Sequence, residues 1–280
     1  MADQPEHQPD QVAGHAPGQR PDIRQIFVRR LRDRQPLAGS FVKSPDPAGI
    51  EILAGSGFDF AIVDAEHAAM GRAEIALLVM AGRAAGLPVL VRIPERGGHW
   101  IATALDAGAA GIVAPQVDSR AEAEALAQVM RFGMGGRGFS PSTAAAGYGR
   151  TGIAAHLAGQ PQQTALICQI ESAAGVQAAG AIAAVEGVDG LLLGPVDLAV
   201  SLGETDTGAA GVMQLCRDTI AAGTGQGCAA GLFLGDPATA RGWLEQGASL
   251  LVLGSDQAFL RQSADRAMAG YRQALTAGGG

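Results

Sequence analysis

Short apolar runs recur along the chain, at 38–43 (AGSFVK), 58–63 (FDFAIV), 88–92 (PVLVR), 111–114 (GIVA), 165–170 (ALICQI), 188–193 (VDGLLL), 228–234 (CAAGLFL) and 249–253 (SLLVL). They are apolar at consecutive positions rather than alternate ones. That is the pattern of parallel strands covered by helices on their outer side and by a core on the inner. Alanine-rich stretches with helical spacing fill the intervals at 46–55, 72–85, 98–107, 119–131, 174–184, 207–223, 236–246 and 256–275. Ser119 and Asp236 stand at expected N-caps, and Gly57, Gly86, Gly108, Gly187 and Gly247 stand where helices should end.

Eight strand–helix units in about 250 residues predict an α/β fold, the (β/α)8 TIM barrel. A doubly wound sheet is the competitor, but its GxGxxG fingerprint after the first strand is missing. The glycine-rich segment 133–149 is too long for a plain turn. It reads as a functional loop over the active face. Residues 1–22, rich in Pro, Gln, His and Gly, read as a disordered tail. Residues 23–280 form one barrel domain in this reading. His7 and His15 belong to the tail and read as solvated side chains rather than metal ligands.

Composition narrows the function classes. Hydrophobic residues are 48% of the chain, enough for a large buried core. The net charge of −7 argues against a nucleic-acid surface. No apolar run is long enough to suggest a membrane span, and the first residues lack the apolar stretch of a signal peptide. The cysteines at 168, 216 and 228 make neither a CxxC pair nor a disulfide framework. A reducing, cytoplasmic location is expected.

In a barrel, chemistry belongs at the C-terminal ends of the strands. The second strand ends in Asp64-Ala65-Glu66-His67, the third in Arg92, the fifth in Gln169-Ile170-Glu171, and the sixth runs into Gly194-Pro195-Val196-Asp197. Glu171 and Asp197 come from neighbouring strands. They read either as two helix N-caps or as a pair sharing a hard divalent cation. His67 reads as a structural histidine or as a base supported by Asp64 or Glu66. Arg92 reads as the partner of a buried carboxylate or as a donor to a developing enolate oxygen. His99 and His156 are taken as surface residues. Lys43 is the only lysine and ends the first strand. It is the sole candidate for Schiff-base chemistry, which the carboxylate pair disfavours.

Several segments together carry a resemblance: FDFAIVDAEHAAM (58–70), VLVRIP (89–94), ALDAGAAGIVAPQVDS (104–119), GGRGFS (135–140), QIESAAGV (169–176) and VEGVDGLLLGPVDLAVSLG (185–203). Over residues 35–275 the chain resembles the HpcH/HpaI aldolase family of class II pyruvate aldolases. The resemblance implies a lyase that splits a 4-hydroxy-2-oxo acid into pyruvate and an aldehyde through an enolate. It implies Mg²⁺, Mn²⁺ or Co²⁺ on Glu171 and Asp197, His67 as proton acceptor, and Arg92 stabilising the transition state. It further implies Gln169 and Val196 as substrate contacts, the latter through its backbone. Asp106 matches an aspartate that supports the histidine's basicity. The strand map places Asp106 on the far side of the barrel, so it reaches His67 only from a neighbouring subunit. A homo-oligomer, a hexamer built as a trimer of dimers, is also implied.

Two segments depart from the family pattern. Glu95-Arg96-Gly97-Gly98 replaces a Trp-Asn-Asp segment, and FSPSTAAAGYG follows Arg137. Both are expected to line the mouth and leave the aldehyde open. The alternatives are an acyl-CoA lyase of the citrate lyase β or malyl-CoA lyase type, or a non-catalytic barrel that binds a 2-oxo acid.

Overall fold

A computed structural model describes residues 22–277. The strands are β1 (Leu37–Val42), β2 (Phe60–Asp64), β3 (Val89–Arg92), β4 (Gly111–Ala114), β5 (Ala165–Ile170), β6 (Gly190–Leu193), β7 (Ala229–Leu234) and β8 (Leu250–Ser255). They form a closed parallel barrel in sequence order. The helices are α1 (Ile23–Arg32), α2 (Pro47–Gly55), α3 (Arg72–Ala85), α4 (Gly98–Ala107), α5 (Arg120–Met130), α6 (Ile153–Gln163), α7 (Ala173–Ala183), α8 (Pro195–Ser201), α9 (Ala210–Gly225), α10 (Ala240–Glu245) and α11 (Asp256–Ala277). The predicted TIM barrel is the fold observed. All five predicted terminal glycines have positive φ. Ser119 caps α5, and Asp236 caps a short 3-10 turn before α10.

The side-chain period of two sorts each strand into two cores. In β2, Ala61 and Val63 pack under the helices, while Phe60 and Ile62 fill the barrel interior. In β5, Leu166, Cys168 and Ile170 face the helices, and Ala165 and Ile167 face inward. Continuing the inward row to the strand tips gives Asp64 on β2, Arg92 on β3, and Gln169 then Glu171 on β5. Parity thus aims the polar residues into one mouth.

The floor is closed by α1, which the sequence reading did not predict. Phe27, Val28 and Leu31 share the interior core with Leu37, Phe60, Ala229 and Leu250, residues that start their strands. Phe27 stacks against Phe60 with ring centroids 5.4 Å apart. Residues 1–21 of the expected tail, His7 and His15 included, lie outside the described residues. Asp22, the last residue of that expected tail, instead caps α1 by accepting from the Arg24 backbone N–H.

The segment 133–149 corrects its reading. It packs at the opposite end of the barrel from the strand tips. Arg137 binds Asp106 in the last turn of α4, and the 3-10 turn Ala144–Ala146 packs against α4, with Ala145 beside Gly108 at its C-cap. The reason is connectivity. The segment follows α5, which has already returned the chain to the floor, and α6 is interposed before β5. His156, on α6, is also not a surface residue. It is buried between Phe132 and Phe139, with ring centroids 5.3 and 5.7 Å away. His99 is exposed, as expected.

The first turn of the last helix, α11, is partly buried, with Phe259 against Phe58, and from Leu260 onward its described side chains are exposed, including Leu260, Met268, Tyr271 and Leu275. No helix among the described residues is long and apolar enough to cross a membrane.

Candidate active site

Asp64 and Arg92 are register partners on β2 and β3. The guanidinium donates to both carboxylate oxygens, Nε to Oδ1 at 3.0 Å and Nη2 to Oδ2 at 2.7 Å. Its carbon sits 4.5 Å from the centre of the Phe41 ring. Both side chains are buried, so the sequence option of a salt bridge between them is realised. Asp64 also accepts from the backbone N–H groups of Glu66 and His67, at 3.2 and 3.1 Å, and pairs with Lys43 Nζ at 3.3 Å. Burial alone would raise its carboxyl, but the Arg92 hydrogen bonds and charge, with the other partners, hold it below the ordinary value. Asp64 is therefore a fixed anion that shapes the turn toward His67. No hydrogen bond among the described residues uses Arg92 Nη1.

Across the mouth, Glu171 ends the inward row of β5. It is buried, accepting from Gln169 Nε2 at 2.6 Å and from the Gln116 backbone N–H at 3.0 Å. No Arg, Lys or His among the described residues is within ion-pairing distance. Burial pushes its carboxyl up to about 7, and the neighbouring charges of Asp197 and Glu66 add to the rise against the Gln116 hydrogen bond and the charge of Arg92. Asp197 lies in the first turn of α8, directly after β6, with its side chain exposed. Glu171 is not an N-cap, because Ser172 caps α7. Of the two readings of this pair, the cap reading fails for Glu171.

Local backbone chemistry makes this approach possible. Gln116 holds the left-handed conformation at φ 53°, uncommon for a residue with a side chain. It sits in the loop after β4, held by Arg96 through its carbonyl at 3.2 Å, so one residue of the unusual 95–98 segment does brace the mouth. Gly194 precedes α8. A Cβ there would lie 2.9 Å from Glu171 Oε1 and 3.3 Å from Gln169 Nε2, so any larger residue displaces the Glu171 carboxylate from where glycine lets it sit.

The other predicted residues divide. Gln169 lies in the mouth, and its buried Oε1 has no hydrogen-bond partner. Val196, beside Asp197, has a half-exposed side chain, and its backbone N–H lies ahead of the first ladder bond of α8, from Leu198 to Gly194. His67 is half exposed at the rim, with Nε2 3.8 Å from Glu66 Oε2. Burial raises the Glu66 carboxyl against the opposing charges of Arg92 and His67. Asp106 is not in this mouth. Its carboxylate binds Arg137 at 2.6 Å at the other end of the barrel. The sequence reading gave Gln116 and Gly194 no role. Gln116 acts through its backbone, which residue type does not reveal, and only its place at the tip of β4 marked it.

A family model described as HpcH/HpaI aldolase/citrate lyase matches residues 37–263. A protein of Roseovarius nubinhibens named hydroxypyruvate/pyruvate aldolase is 35% identical over 248 residues, covering 88% of this chain and 96% of that one. A protein of Escherichia coli O6:H1 named 5-keto-4-deoxy-D-glucarate aldolase is 31% identical, covering 86% and 94%. The crystal structure of a HpcH/HpaI aldolase/citrate lyase family protein from Burkholderia cenocepacia J2315 superposes with a TM-score of 0.83 at 34% identity, covering 89% of this chain and 99% of that one.

Proposed function

The chain belongs to the HpcH/HpaI aldolase/citrate lyase family, and from that premise we propose that it is a divalent-metal-dependent aldolase. Its reaction is the reversible cleavage of a 4-hydroxy-2-oxo acid to pyruvate, or a close 2-oxo acid, and an aldehyde. One observation carries this reading. A buried carboxylate without a counter-cation, Glu171, faces the same mouth as a buried guanidinium with an unused donor, Arg92.

The residues fit a hard cation. Glu171 is buried with no ion-paired cation among the described residues, Asp197 is beside it, and Gln169 Oε1 is a buried orphan acceptor. All are oxygen donors, the preference of Mg²⁺ and Mn²⁺, with Co²⁺ also tolerated. Among the described residues no three His, Cys, Asp or Glu side chains gather into a complete cage. The remaining positions therefore fall to water and substrate. A bound cation supplies Lewis-acid polarisation of the 2-oxo group.

The chain's own groups do the rest. His67 takes the proton from the 4-hydroxyl, with Glu66 Oε2 3.8 Å from its Nε2. The C3–C4 bond breaks, its electron pair enters the pyruvate enolate, and the aldehyde departs. Arg92 Nη1 donates toward the enolate oxygen while Asp64 fixes the guanidinium plane. Reprotonation at C3 gives pyruvate. Gln169 and the Val196 backbone contact the 2-oxo acid. In this reading the protein is a homo-oligomer, supported by the apolar side chains that α11 leaves exposed. Asp106 serves a neighbouring subunit. A monomer by analytical ultracentrifugation would remove that part.

The test is a pyruvate-release assay over a panel of 4-hydroxy-2-oxo acids with Mg²⁺, Mn²⁺ and Co²⁺. Chelation and Glu171→Gln should each reduce release to background. Full activity in metal-free protein would sink the proposal. Cleavage of acyl-CoA thioesters alone would move the chain to the citrate-lyase side of its family, and 2-oxo acid binding without turnover would make it a binding barrel.

A further inference from the structure

The only lysine of the chain has no part in the reaction as written. Its backbone is fixed: the N–H groups of Lys43 and Ser44 donate to the Asp256 carboxylate at 2.9 and 3.0 Å. This ties the tip of β1 to the start of α11. The inward row of β1 runs through Leu37 and Phe41 to Lys43. The ammonium therefore enters the mouth, 3.3 Å from Asp64 Oδ2, with 28% of the side chain exposed.

Asp64 does not need this cation. It already holds two guanidinium hydrogen bonds and two backbone N–H groups. An ammonium carries three donors. One contact to Asp64 leaves donors facing the open mouth. An ammonium in an ion pair has no lone pair for imine formation, so Lys43 is not placed as a Schiff-base nucleophile.

Topology says what those donors meet. In the closed barrel β1 is four strands from β5 in either direction, so Lys43 faces Glu171 from the opposite wall. Opposite walls of an eight-stranded barrel stand on the order of 15 Å apart at the backbone. Side chains from both walls narrow this to the length of a short carbon chain. The inference rests on the aldolase reading, in which the 2-oxo acid end lies at Glu171 and Asp197. The end derived from the aldehyde then extends toward β1.

We propose that Lys43 is a specificity residue that selects aldehydes carrying an anionic group, carboxylate or phosphate. The reaction is run as aldol addition to pyruvate with Mn²⁺, using matched pairs: succinic semialdehyde against butanal, and glyceraldehyde 3-phosphate against glyceraldehyde. In Lys43→Gln the anionic-to-neutral ratio of kcat/KM should fall by about tenfold to a hundredfold, mainly through KM of the anionic partner. Lys43→Arg should retain most of the ratio. A fall confined to one pair identifies the anion as carboxylate or phosphate. An unchanged ratio overturns the proposal. So does an equal loss on both members of each pair, the signature of a lysine that merely supports Asp64. Borohydride trapping of pyruvate on Lys43 also overturns it. Exchange of pyruvate methyl protons in D₂O by the wild-type protein involves no aldehyde and tests the parent reading separately. No exchange overturns both, whereas exchange with an unchanged ratio overturns only the role of Lys43.

Discussion

Replacing Asp64 by alanine removes a side chain with no exposed surface and takes away both hydrogen-bond partners of a guanidinium that is 5% exposed. Breaking a buried ion pair from one side costs about 3–5 kcal/mol, because the remaining charge stays desolvated. Two features select the lower end. Glu66 Oε2 stands 3.4 Å from Arg92 Nε, has no hydrogen bond of its own, and can take up part of the charge. Phe41 also continues to offer its ring face. The expected loss is therefore about 3 kcal/mol, or roughly 6–12 °C in melting temperature for a chain of this size. Arg92→Met is also destabilising, since it leaves Asp64 buried with only Lys43 and two backbone N–H groups. The double variant removes both charges, so it should cost less than the sum of the two by about 2 kcal/mol. Urea denaturation of the wild type and three variants measures this coupling. A coupling below about 0.5 kcal/mol would refute the view that the pair acts as one buried unit.

Two further outcomes follow from the geometry. Gly194→Ala has an ordinary φ of −102° but places a methyl group 2.9 Å from Glu171 Oε1. Calorimetric Mn²⁺ titration should show about tenfold weaker binding with little change in melting temperature; equal affinities would contradict the close approach. Burial first, then the charges of Arg137 and Arg24, lower the pKa of His156 against the opposing charge of Asp106. The folded state thus keeps the ring neutral, while the unfolded chain takes a proton below about pH 6.5. The sign is set by that difference: His156 contributes stability above the unfolded pKa and loses it as the pH falls. Between pH 7.5 and 5 the wild type should destabilise more steeply than His156→Gln, and parallel slopes would remove His156 from the account.

Much of this architecture was legible because strand parity and strand-end chemistry depend only on local order. The run FAIVD is enough to place Asp64 inward once Phe60 is placed inward, and QIE does the same for Gln169 and Glu171. Three helices were not legible, for different reasons. In α1 the apolar residues are interrupted by arginines, and only the floor of the barrel explains why Phe27, Val28 and Leu31 share a face. The helix α6 carries Gly159 and Pro161, both adverse to a helix, and α8 has only seven residues. Segment 133–149 was misplaced because glycine content reports a loop but not the end of the barrel it occupies. The burial of His156 is hidden from the sequence for the same reason, because its partners, Phe132 and Phe139, lie just before and within that segment.

The closed floor has a practical side. Asp22 begins α1 there, accepting from Gln163 at the end of α6 at 3.1 Å, next to the start of β5. The described chain therefore enters the barrel from the end opposite the candidate site. A support attached at Asp22, the first described residue, would leave the mouth pointing away from it. Such a preparation should exchange reactants freely, whereas one coupled through the side chain of Lys43, the only lysine, would carry its support at the mouth.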